Sequence, residues 1–149
     1  MGSIKETYLV SVLKNKCPRC RKGNIYTYSN AYKFGDIVTM NKDCPVCNQP
    51  TEIEVGFYYG TGYVSYALSV GFSVATFVAW WATIGFSLDD NRFFWWMGIN
   101  AVLMLAMQPL FMRLSRTLWL SWFVSYDKNW KENQVDSPER MISGQENNW

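Results

Sequence analysis

Two uncharged runs separated by four polar residues constrain this chain more than any other feature. From Val55 to Leu88 there are 34 residues without a formal charge, and from Phe93 to Met112 there are 20 more. Only Asp89-Asp90-Asn91-Arg92 lies between them. A helix rises ~1.5 Å per residue, so about 20 apolar residues cross a ~30 Å hydrocarbon layer. A soluble core rarely needs two long helices that are apolar all round, so the expectation is a membrane α-helical hairpin. The linker forces the two helices antiparallel, and Asp90 is placed to cap the second one.

The segments follow from this frame. Residues 55–88 read as an interfacial lead-in followed by the first transmembrane helix. Gly56 to Gly62 hold three glycines and three aromatics, and the helix is expected from about Tyr63. Residues 89–92 form a periplasmic turn and 93–112 the second transmembrane helix. Trp80, Trp81 and Phe93 to Trp96 suit a water–lipid boundary. Residues 113–126 can form an amphipathic interfacial or extended helix, with Arg113, Thr117, Ser121 and Ser125 on one side. Residues 127–149 are polar and without pattern, so a disordered tail is expected. At the other end, residues 1–16 read as an amphipathic helix, about Ile4 to Lys14, opened by a Ser3–Glu6 capping box. It is no signal peptide, because it runs into a cysteine pair with no small-residue cleavage site.

Residues 17–54 carry the chemistry. Cys17-Pro18-Arg19-Cys20 and Cys44-Pro45-Val46-Cys47 are two CxxC units with 23 residues between them. Each such turn offers two sulfurs and several backbone N–H groups to one ion, and two of them complete a tetrahedral S₄ shell. The intervening stretch alternates at Ile25-Tyr26-Tyr28 and Ile37-Val38-Thr39-Met40, with a turn at Gly35-Asp36. It reads as a strand hairpin, which makes the module a small β zinc ribbon. The metal ligands are Cys17, Cys20, Cys44 and Cys47. The ion is Zn²⁺, with iron in a rubredoxin-like site as the alternative. A closed Cys₄ shell leaves no position for a reacting water, so the site is structural. Arg19, Arg21 and Lys22 make the first turn basic. They offset the charge of the sulfur shell, or else offer a surface to phosphate or an acidic partner.

The chain has no histidine, which removes Ser-His-Asp and Cys-His catalysis and any His ligand. A net charge of +2 is too small to imply a nucleic-acid partner, and none is expected. No small-molecule substrate is identified and no catalytic residue assigned. Neither span holds an Asp, Glu, Lys or Arg, which disfavours an ion-coupled channel or transporter. Gln108 and Pro109 are the conspicuous breaks in the second span, with Pro109 expected to kink it. In the first, Thr61, Ser65, Ser69 and Ser73 form one ridge of small residues and Ala67, Gly71, Ala75, Ala79 and Thr83 another. One would pack within the hairpin, the other against an integral-membrane partner or a second copy. Arg113, Arg116, Lys128 and Lys131 after the second span place both termini in the cytoplasm.

CPRCRKG (17–23), CPVC (44–47), GFYYGTGYVSYA (56–67), PLFMRLSRTLWL (109–120) and Tyr126-Asp127 together resemble the uncharacterised bacterial membrane family called domain of unknown function 983. That resemblance implies a cytoplasmic (inner) membrane protein with a zinc-ribbon head, two spans and no established activity. Thr61-Gly62 stand where bulkier apolar residues belong in that pattern. Some relatives look associated with respiratory oxidase assembly. The expected function is a non-enzymatic accessory or assembly protein that docks on a larger membrane complex, respiratory or translocating. The alternative is a thiol or rubredoxin-like iron redox protein of the membrane.

Overall fold

The computed structural model describes residues 7–33, 35–85 and 90–135. Three helices carry the fold: α1 (Tyr8–Leu13), α2 (Thr61–Ile84) and α3 (Arg92–Phe123), with a 3₁₀ turn at Phe57–Gly60 leading directly into α2. The capping box at Ser3 and Glu6 lies outside the described residues, and α1 starts at Tyr8 after an uncapped Thr7. It ends in a Schellman motif. Asn15 takes the left-handed conformation at φ 53°, its N–H donates to Val12 O and that of Lys16 to Ser11 O.

The segment 57–84 and α3, 28 and 32 residues long, are each long and apolar enough to cross a bilayer. The most apolar stretch of the first has no buried residue, and that of the second has few. Val70, Val74 and Val78 on α2 face outward, as do Phe94, Val102 and Leu105 on α3. A water-soluble core helix would bury these side chains. At mid-span Asn100 joins the two helices. Thr76 Oγ1 donates to Asn100 Oδ1 at 2.9 Å, and Asn100 Nδ2 donates to Ser73 Oγ at 3.3 Å. Phe77 packs edge-on against Trp96 below this bridge. Ser73 meets α3 through Asn100, and Ser65 and Ser69 on the same ridge are half-buried. Ala67, Gly71 and Ala75 are exposed, whereas Ala79 and Thr83 line a cleft with Trp96, Ile99 and Asn100 of α3.

The connection differs from expectation in one detail. The N-cap of α3 is Asn91, without a side-chain bond, so Asp90 does not cap it. Asp90 instead pairs with Arg92 at 3.5 Å, and Arg92 Nη1 donates to Ile84 O. A cation on the last carbonyls of α2 meets the negative end of that helix.

α3 is the structural spine. The helix runs uninterrupted through Pro109, and the half beyond it is wrapped by the N-terminal module rather than laid along an interface. Arg113, Ser115, Thr117 and Leu120 are all at most 2% exposed. Tyr8 and Ser121 share a hydrogen bond, and Thr117 Oγ1 lies 2.9 Å from Asn15 Oδ1. Phe57 and Tyr58, expected at a lipid boundary, are buried in the core of this module. Trp119 Nε1 donates to Phe57 O, and its ring lies so close to Gly60 that a Cβ there would stand 2.2 Å away. Thr61 is buried with its hydroxyl on Tyr58 O, so the small residue at that place serves the turn.

Among the described residues there is no strand, which corrects the expected hairpin over 23–43. One isolated antiparallel bridge, Tyr26–Met40, joins the two expected arms, while Lys16–Asn24 and Asp43–Pro50 lie at the bases of the two cysteine turns. The reason lies in α3. Arg113 takes the carbonyls of Tyr28, Ser29, Asn30 and Ile37, and Arg116 that of Val38. Carbonyls that would extend a ladder are spent on two arginines. The turn at Gly35-Asp36 is present, with Gly35 at φ 97°.

Among the described residues Arg113 has no carboxylate partner, and carbonyl dipoles stabilise it. Its own carbonyl accepts the Tyr26 hydroxyl at 2.9 Å, and its guanidinium lies over the Tyr26 ring. Burial pushes the Tyr26 phenol up to about 12, which keeps it a neutral donor. A hydrogen bond to a charged group contributes ~1.5–3 kcal/mol, and a buried carbonyl left unpaired costs ~1–3 kcal/mol. Arg113→Leu should therefore loosen the module on α3 by at least about 3 kcal/mol. Arg113→Lys should rescue little, because an ammonium cannot reproduce the planar fork. Limited proteolysis of residues 7–56 in detergent reads the loss.

Candidate metal centre

Each CxxC unit is built by the same local bonds. Arg21 N–H donates to Cys17 O and Asn48 N–H to Cys44 O. Cys17 N–H donates to Gly23 O and Cys44 N–H to Gln49 O. Arg21 and Asn48, each four residues after the first cysteine of its turn, take the left-handed conformation at φ 56° and 54°. The bridges Lys16–Asn24 and Asp43–Pro50 close the two turns at their bases.

The two turns face each other and bring all four sulfurs within 4.8 Å of one another. Cys17 Sγ lies 3.7 Å from Cys47 Sγ, and Cys20 Sγ lies 3.7 Å from Cys44 Sγ. A tetrahedral S₄ shell with metal–sulfur bonds of ~2.3 Å has edges of ~3.8 Å. The sulfurs are thus already spaced for one ion, and every cysteine predicted as a ligand is in the cluster. All four are buried among Ile25, Tyr26, Phe57, Tyr58 and Leu120. Gly23 is essential to the approach, because a Cβ there would stand 2.3 Å from Cys44 Sγ. Its N–H points to Cys20 Sγ at 3.5 Å.

Four sulfurs so close cannot all ionise without a cation. Hydrogen bonds with Cys20 and Cys44, and then burial, push the Cys17 thiol up. Hydrogen bonds from Cys17 and Cys44 push Cys20 down, against its burial. Burial pushes Cys47 up to about 12. A divalent ion would displace the remaining protons and supply the missing positive charge.

The basic side chains of the first turn are engaged by a segment the sequence reading treats as patternless. Residues 128–132 form turns beside this knuckle, at the start of the tail that the sequence leaves without pattern; residues 136–149 of that expected tail lie outside the described residues. Buried Arg19 donates through Nη2 to Asn133 O and Gln134 O, each at 2.9 Å, and pairs with Asp127 at 3.4 Å. Arg21 stacks on Tyr126, and Lys22 lies over Trp130. These contacts bind the first knuckle to the C-terminal end of the spine. They take up the cations that the sequence reading held open for phosphate or an acidic partner.

Comparison with protein-family models, with curated proteins and with solved structures finds no match. The chemistry of the centre follows from its donor set: four buried thiols, with neither a histidine nor a carboxylate in the cluster.

Gly23→Ala isolates the sulfur geometry from the sulfur chemistry. All four ligands remain, but the added methyl sits inside the Cys44 contact. The variant should bind metal at least about tenfold more weakly in a chelator competition, as expected when a supporting group of a metal shell is displaced.

Proposed function

We propose that this chain is a non-enzymatic accessory or assembly protein of a bacterial cytoplasmic membrane. In this reading α2 and the first half of α3 cross the bilayer, with both termini cytoplasmic. The head is a ribbon-like module that holds one structural Zn²⁺ through Cys17, Cys20, Cys44 and Cys47, and the hairpin docks beside an integral-membrane partner. The observation that carries the reading is the continuity of α3. One helix belongs to an outward-apolar hairpin at one end and to the cysteine head at the other. That arrangement suits a protein that relates a cytoplasmic contact to a membrane one. The resemblance to domain of unknown function 983 implies the same architecture.

Zinc suits a closed shell of four thiolates, which has no open position for substrate. The competing reading is a rubredoxin-like iron or dithiol redox centre, which the same donor set would accommodate. Burial of all four sulfurs disfavours thiol–disulfide exchange with another protein, since the attacking thiolate must be reached. Metal analysis of the purified chain decides between them. One zinc per chain and no colour are expected; stoichiometric iron with a red colour supports the alternative. Ligation displaces thiol protons, so retention should weaken as pH falls.

Docking is tested on α2. Its outward ridge, Ala67, Gly71 and Ala75, lets another helix approach closely, with contacts there worth about 0.6–2 kcal/mol each where polar groups join. Replacing these three by Leu should leave metal content and the hairpin intact and release the co-purifying membrane protein in native mass spectrometry. Leu at Ser65, Ser69 and Ser73 should instead disturb packing against α3. An unchanged complex with the first triple variant would show that the ridge is not the docking face.

A further inference from the structure

Residues 28–33 leave the cysteine head and run along the apolar half of the spine. Arg113 fixes their base: Nη1 donates to Tyr28 O and Ser29 O at 2.9 and 3.2 Å, and Nη2 to Asn30 O at 2.8 Å. From there the chain turns toward the hairpin. The Tyr32 hydroxyl donates to the carbonyl of Ala106 at 3.0 Å, and the Tyr32 N–H donates to Asn30 Oδ1 at 2.9 Å.

Ala106 precedes Arg113 by seven residues on the same helix, which is ~10 Å along its axis. It lies inside the uncharged run Phe93–Met112, next to Leu105, which is 78% exposed. The phenol end of Tyr32 thus reaches the depth of side chains that, on the membrane reading, face lipid. The residue is itself 45% exposed. The Lys33 ammonium lies 3.3 Å from the centre of the Tyr28 ring and pairs with Asp36 at 3.0 Å. Tyr59, Tyr63 and Tyr66 stand exposed on the lead-in and first turns of α2, at the same end of the hairpin.

Irregular backbone is tolerated at a lipid boundary only where its polar groups find protein partners. Three consecutive carbonyls here are satisfied by one arginine, and both the N–H and the hydroxyl of Tyr32 have acceptors. Tyrosine rings favour the boundary, and a lysine stem can lie on apolar surface with its ammonium among phosphates.

We propose that residues 28–33 form an interfacial hook that enters the headgroup–acyl boundary of the bilayer beside α3. Tyr28 and Tyr32 lie in the boundary and Lys33 at the lipid phosphates. The chain then meets the membrane in three places, two spanning helices and one loop that does not span. This rests on the membrane reading of the hairpin.

The test places the photoreactive p-benzoylphenylalanine singly at Tyr32, Tyr28, Leu105 or Lys14. Each full-length chain is reconstituted in phosphatidylethanolamine–phosphatidylglycerol vesicles, with metal content checked as a measure of folding. Tyr28 gives a position whose side chain makes no bond to α3. Lipid adducts at Tyr32, Tyr28 and Leu105, with none above background at exposed Lys14, are expected. Adducts at Leu105 alone overturn the hook while keeping the hairpin in the membrane. Absence at Leu105 as well overturns the membrane reading beneath it. Adducts at Tyr32 and Tyr28 to protein instead of lipid overturn the choice of lipid.

Discussion

Four thiols packed within 4.8 Å of one another set the terms for everything N-terminal to α2. They cannot share that space as thiolates without a cation, and as thiols they give little cohesion. The surrounding module has few other resources. It holds isolated bridges and no strand among its described residues. Below about 50 residues a module buries too little surface to fold unaided and depends on a staple or a neighbour. This one has both: a shell spaced for a metal, and α3, which supplies Leu120 to the same core, with Val124 following at its C-cap.

The helix makes that partnership possible by carrying charge into the core in a form that carbonyls can neutralise. Arg113 draws its four acceptors from Tyr28, Ser29, Asn30 and Ile37. A carboxylate partner would have fixed one point of the chain; a planar fork on carbonyls fixes two loop arms at once. Residues 127–133 return to the first knuckle through Arg19, so the chain after α3 closes over the same head that α3 supports. Head, spine and C-terminal segment thus form one network, and the apolar hairpin extends from it.

The sequence was most legible where one residue type suffices. Paired cysteines at fixed spacing located the cluster, and two uncharged runs located the long helices, because both signals are local. Arg113 shows where local reading stops. Beside an apolar run an arginine reads as a membrane flank, and only contacts from more than 75 positions away reveal it as buried. The strand reading holds only at one bridge for the same reason: Ile25 O and Thr39 O pair between the arms, but the carbonyls of Tyr28, Ser29, Asn30, Ile37 and Val38 serve α3. Asn100 carries the bridge between the helices, although Gln108 and Pro109 are the more conspicuous breaks in the run. A single amide in an apolar run is a visible signal, since it needs a partner there, and Ser73 and Thr76 on α2 supply it. Nothing in the composition of residues 127–135 announces their seat, because main-chain carbonyls of Asn133 and Gln134 make the contact.

The cysteine cluster and the far half of α3 share one core and should behave as one cooperative unit, separate from the hairpin. Amide hydrogen exchange on the purified chain, before and after chelation, tests it directly. Metal removal should expose residues 16–52 and 110–123 together, while 64–84 and 93–106 keep their protection. Loss confined to the two cysteine turns, with 110–123 unchanged, would contradict it.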